Sequence, residues 1–278
     1  MPIPERLNPT FASARNQLPD NLQGARKRLI VALDVPNVEA AVELLKRLEG
    51  NCGWFKVGME LFTAAGPAII ETLAADGHSV FLDLKFHDIP NTVAGAVRAA
   101  AGLGVRMLNV HAAGGPAMLA AANAALEGLA DPPQLLAVTM LTSMDASQMK
   151  AIGLARSAAN QVELLGRMSI KVGIHGFVCS SLEVAALRAL TGDKGVLVVP
   201  GIRPADAKVG DQRRIATPGS ALREGANYLV VGRPITQAPD PAKAAEAVLK
   251  EMAEALSMGA KKRRSPERSK THSGLRLG

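Results

Sequence analysis

An acid, a base and a second acid stand close together at Asp83, Lys85 and Asp88, within the run FLDLKFHDIPNTV at 81–93. The apolar residues that begin at Ser79 and Val80 read as a buried strand. Side chains two apart on a strand share a face, which puts Asp83 and Lys85 on one side and Leu82, Leu84 and Phe86 on the other. An isolated charge is costly to take out of water. An alternating acid, base, acid row near the end of a strand therefore predicts groups that neutralise one another and are kept for chemistry. Proton transfer and stabilisation of charge are the chemistry such groups suit.

Something must hold that row in place, and the chain around it alternates short β-rich runs with alanine-rich amphipathic stretches. Strands are predicted at 28–35, 54–59, from 79 through the charged row, and at 106–112, 135–142, 176–180, 195–202 and 228–232. Helices are predicted at 38–48, 60–75, 90–103, 116–129, 160–168, 182–190 and 241–256, with Thr217-Pro218 opening a further one and short helical pieces expected before 160. Eight strands alternating with eight helical regions predict an α/β protein, a single (β/α)8 TIM barrel, in preference to an open doubly wound sheet. An open dinucleotide-binding sheet would want Gly-x-Gly-x-x-Gly after the first strand, where Asp34-Val35-Pro36-Asn37 stands instead.

In a barrel of this kind, function gathers where strands end. The polar residues predicted at those ends are Asp34, Lys56, Asp83, Lys85, Asp88, Thr142, Arg203 and Arg233. Each has a plain structural reading as well: Asp34 or Asp88 as a helix cap, Lys56 with its head reaching solvent, the arginines as surface charge. Their convergence on one rim favours the functional reading. A second informative stretch contains Pro-Gly-Ile-Arg-Pro at 200–204, Gly-Asp-Gln-Arg-Arg at 210–214 and Val-Gly-Arg-Pro at 231–234. Loops after the last two barrel strands bind phosphate through backbone N–H groups and forked guanidiniums, a task for Gly232, Arg233 and Arg203. The connection at 203–219, long for a loop, reads as a lid over a phosphate ester.

At 278 residues and 48% hydrophobic content the chain supports one large core, built from aliphatic residues because only six Phe, one Trp and one Tyr are present. The expected organisation is an N-terminal extension at 1–26, a barrel domain at 27–258 and a basic, disordered tail at 259–278. The formal charge of +7 has its source in that tail, since residues 261–278 carry a net +6 and leave +1 for the rest. Nucleic-acid binding is accordingly disfavoured for the body of the protein. No apolar run reaches membrane-spanning length and no signal-peptide core opens the chain, so a cytoplasmic location is expected. Cys52 and Cys179 lack metal-ligand spacing and suit a reducing compartment as buried small hydrophobes. The five histidines, His87 among them, form no convincing metal site and provide no partner for a nucleophile.

The stretch Asp83-Leu-Lys85-Phe-His-Asp88-Ile-Pro-Asn-Thr92 resembles the signature of the orotidine 5'-phosphate decarboxylase family. The similarity extends from about 28 to 256, through Leu-Asp34-Val, Phe-Lys56-Val-Gly, Leu-Thr142-Ser, Pro-Gly-Ile-Arg203, Gln212 and Val-Gly-Arg233-Pro. The resemblance implies decarboxylation of orotidine 5'-phosphate to UMP in pyrimidine biosynthesis, without metal or other cofactor. It implies a homodimer with shared active sites, in which Lys85 protonates C6, Asp83 lies beside the scissile carboxylate, and Lys56 and Asp88 complete the array, Asp88 crossing the subunit interface. Asp34 would hold ribose or pyrimidine, Thr92 the ribose from across the interface, and Thr142 and Gln212 would help the lid to close. Arg203, Gly232 and Arg233 would receive the phosphate. Two alternatives are a magnesium-dependent keto-sugar-phosphate decarboxylase or aldol-type synthase on the same barrel, and a nucleic-acid binder acting through the tail.

Overall fold

The β-branched and aliphatic runs become eight short parallel strands, each paired with its neighbour in sequence, and the eighth pairs back onto the first to close a barrel. The computed structural model describes residues 18–48, 50–204 and 216–264, with side chains described through Met258. The strands are β1 (Leu29–Ala32), β2 (Trp54–Gly58), β3 (Ser79–Phe86), β4 (Met107–His111), β5 (Gln134–Val138), β6 (Gly176–Val178), β7 (Val196–Val199) and β8 (Tyr228–Val231). The helices are α1 (Asp20–Arg26), α2 (Val38–Arg47), α3 (Met59–Ala65), α4 (Ala68–Ala75), α5 (Pro90–Gly102), α6 (Gly115–Ala124), α7 (Ala146–Ala151), α8 (Ala158–Lys171), α9 (Val184–Thr191), α10 (Pro218–Arg223), α11 (Arg233–Thr236) and α12 (Pro241–Arg264). The predicted (β/α)8 barrel is the architecture found.

Strand alternation divides the core into two layers. Ile30, Phe81, Met107, Leu136, Val198 and Val230 point inward and fill the barrel. Their neighbours Leu29, Val31, Val80, Leu82 and Leu229 point outward beneath the helices. On β3 this phase carries on upward: Phe81 is the last inward apolar residue, and the next inward position is Asp83. Leu84 and Phe86 stay with the helix-side core, as the alternation predicts. The charged row thus stands on an apolar floor. Removing a large floor residue, by Phe81→Ala, costs roughly 3–5 kcal/mol because little around such a site can collapse into the void.

Caps set where the helices begin. Asn37 Oδ1 accepts a hydrogen bond from the Ala40 N–H at 2.9 Å to start α2, and Asp145 with Gln148 forms a capping box at α7. Pro90 occupies the first turn of α5, where a missing N–H costs nothing.

Several strands and helices are shorter than the pattern predicts, β5 ending at Val138 and not at 142, and three further departures change the organisation of the chain. The helix expected at 60–75 is two helices, α3 and α4, parted by Gly66 with φ 68° and by Pro67. Residues 1–26, read as an extension, include α1, which packs against α12 through buried Leu22 and Ala25. The Arg26 side chain donates from Nε to the Gly50 carbonyl at 3.1 Å, tying α1 to the turn before β2. The last helix runs to Arg264 and not to 256, so the first residues of the predicted tail are helical backbone. Residues 265–278 lie outside the described chain.

Among the described residues no helix is long and apolar enough to cross a membrane. Both cysteines are buried thiols; burial pushes the Cys52 thiol up to about 12 and raises that of Cys179 as well. They behave as small hydrophobes, as expected from the sequence.

Candidate active site

Four charged side chains, from β2, β3 and the loop just after β1, form a line at the barrel's C-terminal mouth. Lys56, on β2, donates to Asp34 Oδ1 at 2.7 Å and lies 3.5 Å from Asp83 Oδ2. Lys85, at the top of β3, donates to Asp83 Oδ1 at 2.6 Å. The order acid, base, acid, base leaves each charge beside its opposite. The middle of the line is the more buried part: the Lys56 and Asp83 side chains are 10% and 14% exposed, while at the ends Lys85 is 26% and Asp34 is 59%.

Parallel registry brings these strand ends together. Ala32 pairs with Lys56, and Gly58 pairs with Asp83, so β1, β2 and β3 reach the rim in step. The pairing of β3 with β4 then slips. Leu82 faces Leu108 and Phe86 faces Val110, so residues 83 to 85 stand opposite Asn109 alone. Within that bulge Lys85 takes φ 52°, the left-handed region that costs a non-glycine residue about 1–2 kcal/mol. Asn109 answers the slip. Its Oδ1 accepts from the Lys85 backbone N–H at 2.8 Å, and its Nδ2 donates to Asp83 Oδ1 at 2.7 Å.

Asp83 is charged in this setting. Burial opposes its carboxylate, but the Lys56 and Lys85 ammoniums and the hydrogen bonds from Lys85 and Asn109 outweigh burial and hold its carboxyl below the ordinary range. The magnitudes agree: one opposite charge at 4 Å contributes about 4 kcal/mol at an effective dielectric near 20, against a burial penalty of several kcal/mol per ion.

A cavity of about 430 Å³ opens over this line, within the size range of small-molecule sites. Asp34, Lys56, Asp83 and Lys85 line one side, while Thr142, Arg203, Gly232 and Arg233 line others. Eight of the predicted residues therefore meet at one place. Arg203 follows Gly201, whose φ of 76° turns the chain over the mouth after β7. Burial and then the neighbouring Arg233 both weigh against the Arg203 charge, a penalty that an anion bound between the two guanidiniums relieves. Gly232 precedes α11, placing backbone N–H groups at the same wall.

Asp88 and Thr92 are exposed at the start of α5 and line no part of this cavity. Asp88 Oδ1 accepts from the Ile89 N–H at 2.6 Å, a local contact that leaves the second oxygen uncommitted to it. Gln212 lies outside the described residues, as does most of the 203–219 loop. The base of that loop is described: the Arg203 N–H donates to the Ala216 carbonyl at 3.0 Å, so the chain leaves and returns at one point.

Asn109 and Gln237 stand at the site without having been among the predicted residues. Asn109 had one signal, a polar residue at the inward phase of a predicted strand, between Met107 and His111. Gln237, exposed just after α11, lines the cavity but stands in no pattern. His87 stacks on His111 with ring centroids 5.3 Å apart beside the charged line. A larger depression of about 550 Å³ lies at the opposite end of the barrel, against Trp54, Ser79 and Tyr228, far from the ends where enzymes of this fold do chemistry.

Fold and site together define a (β/α)8-barrel protein with an enzyme-like charged mouth at the C-terminal ends of its strands. Residues 27–248 match the Orotidine 5'-phosphate decarboxylase / HUMPS family. The orotidine 5'-phosphate decarboxylase of Moorella thermoacetica is 51% identical over 234 residues, covering 82% of this chain and 93% of that protein. That of Nitrosococcus oceani is 52% identical over 223 residues, covering 80% and 96%. The crystal structure of orotidine 5'-phosphate decarboxylase from Lactobacillus acidophilus superposes with a TM-score of 0.72 at 41% identity, over 81% of this chain and 98% of that one. The chain belongs to the orotidine 5'-phosphate decarboxylase / HUMPS family.

Proposed function

We propose that this protein decarboxylates orotidine 5'-phosphate to UMP in pyrimidine biosynthesis, using no metal or organic cofactor, with Lys85 as the proton donor. The substrate and reaction rest on the family match and on relatives of about half identity that carry that activity in their names. The observation that carries the mechanism is the ion-paired line Asp34, Lys56, Asp83, Lys85 along one side of the cavity.

Loss of CO₂ breaks the bond between C6 and the carboxylate and leaves the electron pair on C6. No ring position adjacent to that carbon delocalises the pair, so the stabilisation has to be electrostatic. A fixed ammonium at C6 supplies it, and Lys85 then gives its proton to the carbon and recovers one from solvent. Asp83 lies beside the departing carboxylate, and Lys56 keeps Asp83 ionised and in place. Preorganisation is the point: the charges are already paired and directed before substrate arrives.

Arg203, Arg233 and the N–H groups following Gly232 take the phosphate, remote from the reacting bond. Binding energy gained there orders the rest of the site. Asp34 holds ribose or pyrimidine, and Thr142 and Gln212 help the lid to close. In a homodimer, Asp88 and Thr92 reach the partner subunit's cavity; their exposure at the start of α5, outside their own cavity, supports that reading. Two buried, unpaired thiols accord with a cytoplasmic setting.

The direct test is the ultraviolet absorbance of orotidine 5'-phosphate mixed with purified protein in EDTA. Loss of the substrate band with formation of UMP is expected. Turnover that requires magnesium and a keto-sugar phosphate would assign the chain to the other chemistry of its family. For shared sites, inactive Lys85→Ala and Asp88→Ala subunits are mixed: activity returns if sites are shared, and no recovery despite subunit exchange rejects sharing.

A further inference from the structure

We infer that Asn109 is a positioning residue for the charged line, holding the Lys85 backbone and the Asp83 carboxylate in one geometry. The inference rests on the proposed roles of Lys85 and Asp83 and adds a residue from a different strand.

The slip between β3 and β4 leaves part of β3 without a regular partner. Three residues of β3 stand opposite Asn109, and the ladder resumes only at Phe86 and Val110. A bulge leaves backbone groups without ladder partners, and a buried N–H left unpaired is costly. The Lys85 N–H finds its acceptor in the Asn109 side chain at 2.8 Å, which substitutes for the strand carbonyl that the slip removes. The same side chain donates to Asp83 Oδ1 at 2.7 Å, the oxygen that also receives the Lys85 ammonium at 2.6 Å. An amide can accept from a backbone N–H and donate to a carboxylate at once. Ionised aspartate loses the donor, and leucine loses both.

Rigidity follows from burial. Asn109 is fully buried, held between the inward apolar layer below and the charged line above. Its two bonds close a ring through the backbone and both side chains of Asp83 and Lys85. The left-handed φ of Lys85, 52°, is held inside that ring. Without the amide, Lys85 can relax toward an ordinary extended conformation, which swings its ammonium away from C6. Asp83 also loses one of the hydrogen bonds that keep its carboxyl low.

The test compares Asn109→Ala and Asn109→Asp with wild type and with Lys85→Ala. Both Asn109 variants should lose about 100-fold in kcat, the size of effect that follows a misplacement of about 1 Å, while KM changes by less than about threefold. The acid limb of the kcat profile should move to higher pH in Asn109→Ala, because Asp83 binds its proton more readily there. The Lys85 amide resonance should shift and exchange faster in Asn109→Ala, a readout independent of turnover, while Asn109→Asp retains the acceptor and the protected amide. If Asn109→Ala does not fold, kcat and KM of Asn109→Asp decide. Kcat within threefold of wild type per folded site, with an unmoved acid limb, overturns the inference. Full activity in Lys85→Ala would instead reject the underlying mechanism, so the two failures are distinct.

Discussion

Gly58 and Lys56 stand so close at the upper end of β2 that a Cβ on residue 58 would lie 2.9 Å from the Lys56 Nζ. The same Cβ would approach Asp34 Oδ1 at 3.3 Å. Glycine here leaves room for an ion pair. The backbone at Gly58, φ −94° and ψ −175°, suits any residue, and the ammonium is the movable end of a flexible chain. Gly58→Ala is therefore expected to change stability by less than about 1 kcal/mol, yet to displace Lys56 and reduce kcat about 10- to 100-fold. Thermal unfolding and steady-state kinetics on one preparation check both halves.

Lys85 stores backbone strain at the top of β3. Lys85→Ala and Lys85→Gly both remove the proposed proton donor and should both be folded and nearly inactive. They should differ in stability, because glycine accepts φ 52° freely and alanine does not. The expected gap is about 1 kcal/mol in favour of glycine, read from denaturant unfolding. Equal stabilities would show that the left-handed backbone relaxes once the lysine is gone.

The two guanidiniums at the cavity wall should respond to a bare anion. Inorganic phosphate is expected to raise the melting temperature of wild type in a concentration-dependent way, since a ligand that binds only the folded state stabilises it by mass action. Arg233→Ala should abolish most of that shift and raise KM for the phosphorylated substrate with a smaller effect on kcat. An unchanged KM would remove Arg233 from the proposed phosphate site.

His111 is expected to make stability fall as the solution turns acidic. Burial, and then the positive influence of His87 and Lys85, lowers its pKa below the ordinary histidine value of 6.5. The folded state thus resists a proton that the unfolded chain accepts, so stability is full above about pH 6.5 and declines below it. His111→Gln should flatten that decline. Melting temperatures from pH 8 to pH 5 for both proteins measure the difference; parallel curves would show that His111 titrates alike in both states.

Much of this site was legible because strand alternation is a simple rule. Asp83 and Lys85 are two apart, so their shared face could be read at once, and Asp34, Lys56, Arg203 and Arg233 followed from counting strand ends. The bulge was not legible. Nothing in the letters around Lys85 marks a left-handed residue, since the cause lies in the pairing with β4, which no local pattern contains. Asn109 was hidden for the same reason: a single amide in an apolar run has meaning only when its opposite strand is known. The break between α3 and α4 did carry a signal in Gly66-Pro67, overridden by the apolar periodicity on either side.

The slip between β3 and β4 also bears on modularity. Residues 81–93 look like a portable cassette, because the signature motif lies within them. Transplanted alone into another barrel, the cassette would bring the acids and the lysine but not the amide that accepts the Lys85 N–H, and the recipient sheet would restore ordinary pairing across the bulge. A functional graft has to carry two adjacent strands with their offset intact. The smallest heritable unit of this active site is accordingly a strand pair.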